Sequence, residues 1–199
     1  EMLSGISHDL RTPLTRIKLQ LSFIKDKEIS KKLSDDVGEM EKMLNEYLQF
    51  ASSRSAETTE TFDLSELLET TIMKYEKKEI TTDISKEVFL DGRKNLMQRC
   101  FSNLIDNAIK YSANVYISLR KLNNNILITI DDDGPGIPEN ERENVFKPFY
   151  KIDKSRGDSK SSVGLGLSIA SDIVISHGGN IKLETSPTNG LRIKVILPF

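Results

Sequence analysis

The sequence predicts two units of different class. The first is an all-α antiparallel helical hairpin that would pair with a second copy as a dimeric four-helix bundle. The second is an α+β sandwich, one sheet covered by helices on one face. Three observations carry this. Apolar residues near the N-terminus step by four and three, as in a heptad seam. A polar stretch without periodicity, residues 52–60, then interrupts the pattern. Beyond it, helical periods alternate with short runs of period two set off by turn residues.

The first seam runs Leu3, Leu10, Leu14, Ile17, Leu21 and Ile24, and Asp26-Lys27-Glu28 breaks it. The second runs Leu33, Val37, Met40, Leu44 and Tyr47, with Leu48 and Ala51 widening the stripe. Two amphipathic helices joined by a short polar turn form a hairpin, and a lone hairpin buries too little apolar surface to stand by itself. Domain limits follow at residues 1–56 for the hairpin, 57–61 for a linker and 62–199 for the sandwich. In the sandwich, Phe62-Asp63-Leu64 begins a short strand that leads into a helix through about Tyr75. Strands are expected over residues 79–84 and 88–90, then a strong helix over 93–110. Residues 115–122 and 126–131 alternate, and Asn123-Asn124-Asn125 between them suits a hairpin turn. A helix over 165–176 ends at Gly178-Gly179, and strands over 181–184 and 191–197 flank Pro187 and Asn189-Gly190.

Composition narrows the function. The net charge of −2 offers no basic excess for a nucleic-acid backbone or an anionic membrane. Cys100 is the only cysteine and lies in an apolar helical pattern, which suits a small buried hydrophobe in a reducing compartment. No apolar run is long enough to span a bilayer. The helical pattern is already running at the first residues, so the chain reads as part of something longer.

Ser7-His8-Asp9-Leu10-Arg11-Thr12-Pro13-Leu14 is the first motif with chemistry in it. With Leu10 and Ile17 at heptad position d and Leu14 and Leu21 at a, His8 falls at b, Asp9 at c and Thr12 at f. All three lie outside the seam, and His8 and Thr12 stand one turn apart on a solvent face. Pro13 removes the amide that would bond the carbonyl of Asp9, so a bend is expected there. A neutral imidazole can attack a γ-phosphorus in line while its other nitrogen keeps a proton, and Asp9 beside it can fix that tautomer. Thr12 could position a water for dephosphorylation. A solitary exposed histidine is ordinarily just solvated; the neighbours and a downstream nucleotide site change that reading.

That site is assembled from separate segments. Asn103 and Asn107 share a helix face at i, i+4, where two amide oxygens can approach a hard cation such as Mg²⁺. Alone, such a pair is ordinary helix surface. Lys110 and Tyr111 extend the face by a turn and offer a cation and a hydroxylated ring. Asp131-Asp132-Asp133-Gly134-Pro135-Gly136 closes a strand. Asp132 is placed to accept from an adenine amino group, and Gly134 and Gly136 let backbone approach the base. The same residue types also make plain turns. Gly164-Leu165-Gly166-Leu167 opens a helix, where amides and the positive dipole end suit phosphate. Residues 151–162 are polar and suggest a lid, and Phe146-Lys147-Pro148-Phe149 before them is either a hydrophobic hinge or simple core.

In order and spacing these motifs resemble the H-box, N-box, G1-box, F-box and G2-box of two-component sensor histidine kinases, over nearly the whole chain. The osmosensor-like subgroup looks nearest, given the short lid and the His-Asp-x-x-Thr pattern. The resemblance implies a dimerisation and histidine phosphotransfer hairpin followed by an ATP-binding domain of the Bergerat (GHKL) type. It implies ATP and Mg²⁺ as cofactors, autophosphorylation at His8, and transfer to an aspartate on a response regulator receiver domain. Thr12 would serve a dephosphorylating activity. By the same carry-over Asn107 and Asn103 hold Mg²⁺, Asp132 reads adenine, and Gly164 and Gly166 contact phosphates. It further implies a cytoplasmic piece of a homodimeric protein anchored in the inner membrane by an upstream segment, with no nucleic-acid partner. Two rivals are a GHKL ATPase that uses hydrolysis for conformational work and a phosphatase-dominated signalling scaffold.

Overall fold

The structure is a computed structural model that describes residues 2–75, 79–152 and 164–199, with side chains from residue 12 onward apart from 39, 42–43 and 45–56. The chain divides into a hairpin unit through Ala56 and a second unit formed by residues 57–152 and 166–199.

In the hairpin, α1 (Met2–Leu21) runs unbroken through Pro13, and α2 (Lys27–Ala56) follows a short turn. Asp26 starts α2: its Oδ1 accepts the amides of Glu28 and Ile29 at 3.0 and 3.1 Å. Ser30 reaches back and donates its hydroxyl to the carbonyl of Leu21 at 2.7 Å, closing the end of α1. Leu14, Leu21 and Val37 form the buried seam, with Ile24 and Leu44 packed against it. Lys18 and Glu41 pair across the hairpin at 2.5 Å. The seam read from sequence is only half covered, however. Ile17 is 39% exposed, Leu33 39% and Met40 53%. Two helices offer each other one line of contact, and the rest of a wide apolar stripe needs further helices to cover it.

The second unit holds a five-stranded sheet in the order β2-β4-β5-β7-β6, formed by β2 (Glu79–Ile84), β4 (Asn114–Lys121), β5 (Asn125–Asp132), β7 (Leu191–Pro198) and β6 (Asn180–Thr185). Strand β2 runs parallel to β4 and the other pairs are antiparallel. Period-two alternation turns Val115, Ile117 and Leu119, Ile126, Ile128 and Ile130, and Ile193, Val195 and Leu197 into the core. Strand β3 (Phe89–Gly92) does not join this sheet. It pairs instead with β1 (Glu60–Asp63), from Glu60 opposite Gly92 to Asp63 opposite Phe89.

Three helices carry the remaining core. Asp63 caps α3 (Leu64–Ile72), its Oδ1 accepting from Ser65 and Glu66 at 2.8 and 3.2 Å. Helix α4 (Lys94–Tyr111) buries Leu96, Met97, Cys100, Phe101, Leu104, Ile105 and Ala108, a stripe at helical spacing. Helix α5 (Gly166–Ser176) lies against α4, and the Cys100 thiol sits 3.7 Å from the carbonyl of Ala170. Burial pushes the Cys100 pKa up to about 12, so it remains a thiol and packs as a hydrophobe.

The stretch read as a linker is structured at both ends. Residues 52–56 continue α2, and Glu60 and Thr61 belong to β1. Glu57 is committed as well: its carboxylate takes the amides of Asn95 and Leu96 at 2.6 and 3.2 Å and caps α4, whose own Arg93 offers no side-chain cap. His177 completes this corner. Its Nε2 accepts the Arg93 amide at 3.0 Å while Nδ1 donates to the carbonyl of Ile173 at 2.7 Å. Polarity alone made these residues look unattached; their partners lie far away in sequence.

Candidate nucleotide site

Helix α4 turns its polar edge away from the sheet, and Asn103 and Asn107 lie half-buried on it. Asn103 Nδ2 is buried without a hydrogen-bond partner among the described residues. A native fold rarely leaves such a donor unused, so the amide is available to a ligand. Helix α5 begins beside it: a Cβ on Gly166 would stand 3.7 Å from Asn103 Oδ1. Gly164 (φ 80°) and the buried Leu165 directly precede Gly166, and Leu167 is half-buried in the first turn. The unspent N–H donor therefore lies beside a helix N-terminus, an arrangement that suits phosphate oxygens, while the Oδ1 atoms of the two asparagines are the groups that suit a hard cation.

The end of β5 supplies three neighbouring carboxylates with three different duties. Asp131 forms a two-pronged ion pair with Arg192 at 2.6 and 2.7 Å. Asp133 accepts the amides of Ala113 and Asn114 at 2.9 and 3.0 Å and the Asn114 side chain at 2.7 Å. These bonds, the Asn114 amide first, hold its pKa below the usual carboxylate value. Asp132 is 4% exposed. Its Oδ1 accepts from Gly134 and Leu191 at 2.9 and 3.0 Å, and no hydrogen bond to Oδ2 occurs among the described residues. Burial raises the Asp132 pKa, against the pull of the Leu191 and Gly134 amides. One oxygen is thus anchored and the other is an acceptor without a donor, suited to an amino group.

Gly134 is required where it stands. A Cβ there would lie 2.6 Å from the carbonyl oxygen of Tyr111, so this turn sits directly on the end of α4. Gly136 has φ 68°, a region that L side chains rarely adopt. Tyr111 is exposed, and Lys110 Nζ lies 4.9 Å above its ring. Asn103, Tyr111, Asp132, Gly134 and Gly166 thereby gather around the C-terminal half of α4.

The other expected residues are spread more widely. Asp106, between the two asparagines, is exposed and accepts from the Tyr75 hydroxyl at 2.8 Å. Val145 is buried, while Phe149 is half exposed with φ 65°. The hydrophobic stretch is therefore not simple core throughout. Lid residues 153–162 lie outside the described residues. So do the side chains of His8 and Asp9, whose backbone belongs to α1, and Thr12 is exposed on that helix. Sequence reasoning missed the turn into β7, where Ser186, Thr188, Gly190 and the first residue of the strand, Leu191, surround Asp132. Two hydroxyls ahead of an Asn-Gly turn were the available signal.

Known proteins resemble this chain over both of its units. The family model described as Histidine kinase-, DNA gyrase B-, and HSP90-like ATPase matches residues 92–199, and that of the His Kinase A (phospho-acceptor) domain matches residues 1–56. The sensor histidine kinase GtrS of Pseudomonas aeruginosa is 34% identical over 201 residues, covering all of this chain and 41% of that protein. The sensor histidine kinase CpxA of Escherichia coli is 32% identical over 213 residues, covering all of this chain and 46% of that protein. The chain thus spans less than half the length of these two relatives. Among solved structures, the mycobacterial sensor histidine kinase MprB matches with a TM-score of 0.63 at 25% identity, over 71% of this chain and 97% of that one. The chain belongs to the histidine kinase-, DNA gyrase B- and HSP90-like ATPase family and joins its ATP-binding domain to a histidine kinase phospho-acceptor domain.

Proposed function

We propose that this chain is the core of a homodimeric sensor histidine kinase that phosphorylates His8 from ATP and passes the phosphoryl group to an aspartate of a response regulator receiver domain. The observation that carries this is the union, in one chain, of a phospho-acceptor domain over residues 1–56 and an ATPase domain over residues 92–199. An ATPase that only performs conformational work has no use for the former. The exposed Ile17, Leu33 and Met40 favour a second hairpin as the cover that completes a four-helix bundle.

Each residue then has a task. Asp132 offers Oδ2 to the adenine amino group. Gly134 and Gly136 bring backbone close to the base, and Tyr111 and Lys110 flank it. Amides of the segment from Gly164 through Leu165 and Gly166 to Leu167 receive phosphate oxygens. Asn107 and Asn103 would hold Mg²⁺, which when bound neutralises charge on the phosphates. The His8 nitrogen attacks the γ-phosphorus as the bond to the β-phosphate oxygen breaks and ADP leaves with the electron pair. Asp9 keeps the other ring nitrogen protonated and stabilises the imidazolium. A receiver-domain carboxylate next attacks the phosphorus and the N–P bond breaks. Thr12 positions a water that removes phosphate from the regulator. The complete protein would be anchored in the inner membrane by a segment upstream of this one. No helix among the described residues is long and apolar enough to cross a membrane.

The test is labelling with ATP carrying a radioactive γ-phosphate, followed by phosphopeptide mapping. The label should be acid-labile and base-stable. His8→Gln should abolish it, by at least about 100-fold, while ATP binding is unchanged. Persistent label in that variant would overturn the assignment. Hydrolysis without label would favour the ATPase rival, and weak label with rapid regulator dephosphorylation the phosphatase-dominated one.

A further inference from the structure

The β5–β7 ladder ends at the pair Asp131–Arg192. One residue further the pairing changes partners. The Leu191 amide donates to the Asp132 carboxylate, at Oδ1, 3.0 Å away. The Asp132 carbonyl is taken by two side chains instead: Ser186 Oγ at 2.7 Å and Thr188 Oγ1 at 2.9 Å. Ser186 is 4% exposed, and its Oγ also accepts the Gly190 amide at 2.9 Å. The two hydroxyl oxygens lie 2.9 Å apart, so two protons serve three close oxygen contacts. Gly190 closes the arrangement: a Cβ there would stand 2.2 Å from the Asp132 carbonyl oxygen, leaving room for no other residue.

This splice has a chemical result. Main-chain amides occupy Oδ1 from two sides, and the hydroxyls hold the Asp132 backbone in place. The carboxylate is held through Oδ1, which leaves Oδ2 as the acceptor without a donor among the described residues. Remove the Ser186 hydroxyl, and the Asp132 carbonyl loses its shortest bond while the Gly190 amide loses its acceptor. The Leu191 amide is then free to return to the carbonyl as in a regular ladder, which releases Oδ1 and lets the carboxylate rotate.

We propose that Ser186, seconded by Thr188, is a positioning residue for base selection, holding Asp132 so that its Oδ2 is the single acceptor presented to a purine 6-amino group. This rests on the reading of Asp132 as the adenine contact. Ser186 itself touches no nucleotide; it acts through Asp132.

The experiment compares equilibrium binding of ATP and of purine riboside triphosphate, which lacks the 6-amino group, to the 199-residue chain. Ser186→Ala should weaken ATP by about tenfold and leave the analogue within about twofold, as loss of one well-placed hydrogen bond predicts. In an Asp132→Asn background the same substitution should change neither. Thr188→Val should weaken ATP selectively but less, and Thr188→Ser should restore it. If Ser186→Ala loses its cooperative thermal transition, the Thr188 series carries the comparison. An equal loss for both nucleotides, or no loss, overturns the proposal. If Asp132→Asn alone binds ATP as tightly as the unaltered chain, the reading of Asp132 fails first, whatever Ser186 does.

Discussion

The hairpin and the α/β unit bury their apolar residues to very different degrees. In the hairpin, Leu14, Leu21 and Val37 are covered while Ile17, Leu33 and Met40 are not. In the α/β unit, Phe101, Leu104, Ile105, Ile117, Ile128 and Ile130 are fully enclosed by helix and sheet. The contrast teaches that equal sequence periodicity does not mean equal structural completion. A sheet with helices on it closes its own core, whereas two helices leave a stripe for a further partner.

The largest expected effect falls on the closed core. Leu104→Ala should cost about 3–4 kcal/mol in denaturant unfolding of the α/β unit, because a fully buried leucine leaves a cavity. Met40→Asp should instead barely change that transition and should drive the chain toward monomer in sedimentation. Equal behaviour of the two substitutions would break the comparison.

A middle-sized effect is expected from acid at Asp132. Its pKa is raised by burial, so the carboxylate in the fold takes up its proton at a higher pH than an ordinary aspartate does. The proton goes to Oδ2, since amides occupy Oδ1, and the acceptor becomes a donor. ATP affinity should fall as pH drops through that raised value, while purine riboside triphosphate is spared. Linkage also predicts that protonated Asp132 favours the fold in acid and that this gain is lost as pH rises through the same value.

The smallest effect concerns His177. Its pKa is lowered, chiefly by burial, and its Nε2 must stay unprotonated to receive the Arg93 amide. The neutral ring contributes stability fully above the ordinary histidine value. That contribution is lost as pH falls from there through the lowered folded pKa. His177→Ala should flatten this dependence and cost about 1–3 kcal/mol, read from unfolding curves across that pH window.

Much of this architecture was legible in local pattern. Alternation at Ile126, Ile128 and Ile130, the helical stripe from Leu96 to Ala108, and the turn at Asn123-Asn124-Asn125 each follow from neighbours along the chain. The polar amides of Asn103 and Asn107 were legible because they fall off that stripe. What local pattern could not carry was pairing. Nothing in residues 79–84 says that they run parallel to β4, and nothing in Phe89 to Gly92 says that they leave the main sheet for β1. Ser186 and Thr188 passed unnoticed beside the turn residues because their acceptor, the Asp132 carbonyl, stands far earlier in the chain. Ile17 and Met40 looked buried because periodicity records which face is apolar, not what covers it.

The Glu57 carboxylate over the first amides of α4 has a practical consequence. Anyone isolating the ATP-binding half must begin no later than residue 57. A version starting one residue later strips the helix that presents Asn103 and Asn107 of the carboxylate over its first turn, leaving two amides bare and forfeiting about 1 kcal/mol of favourable charge–dipole attraction.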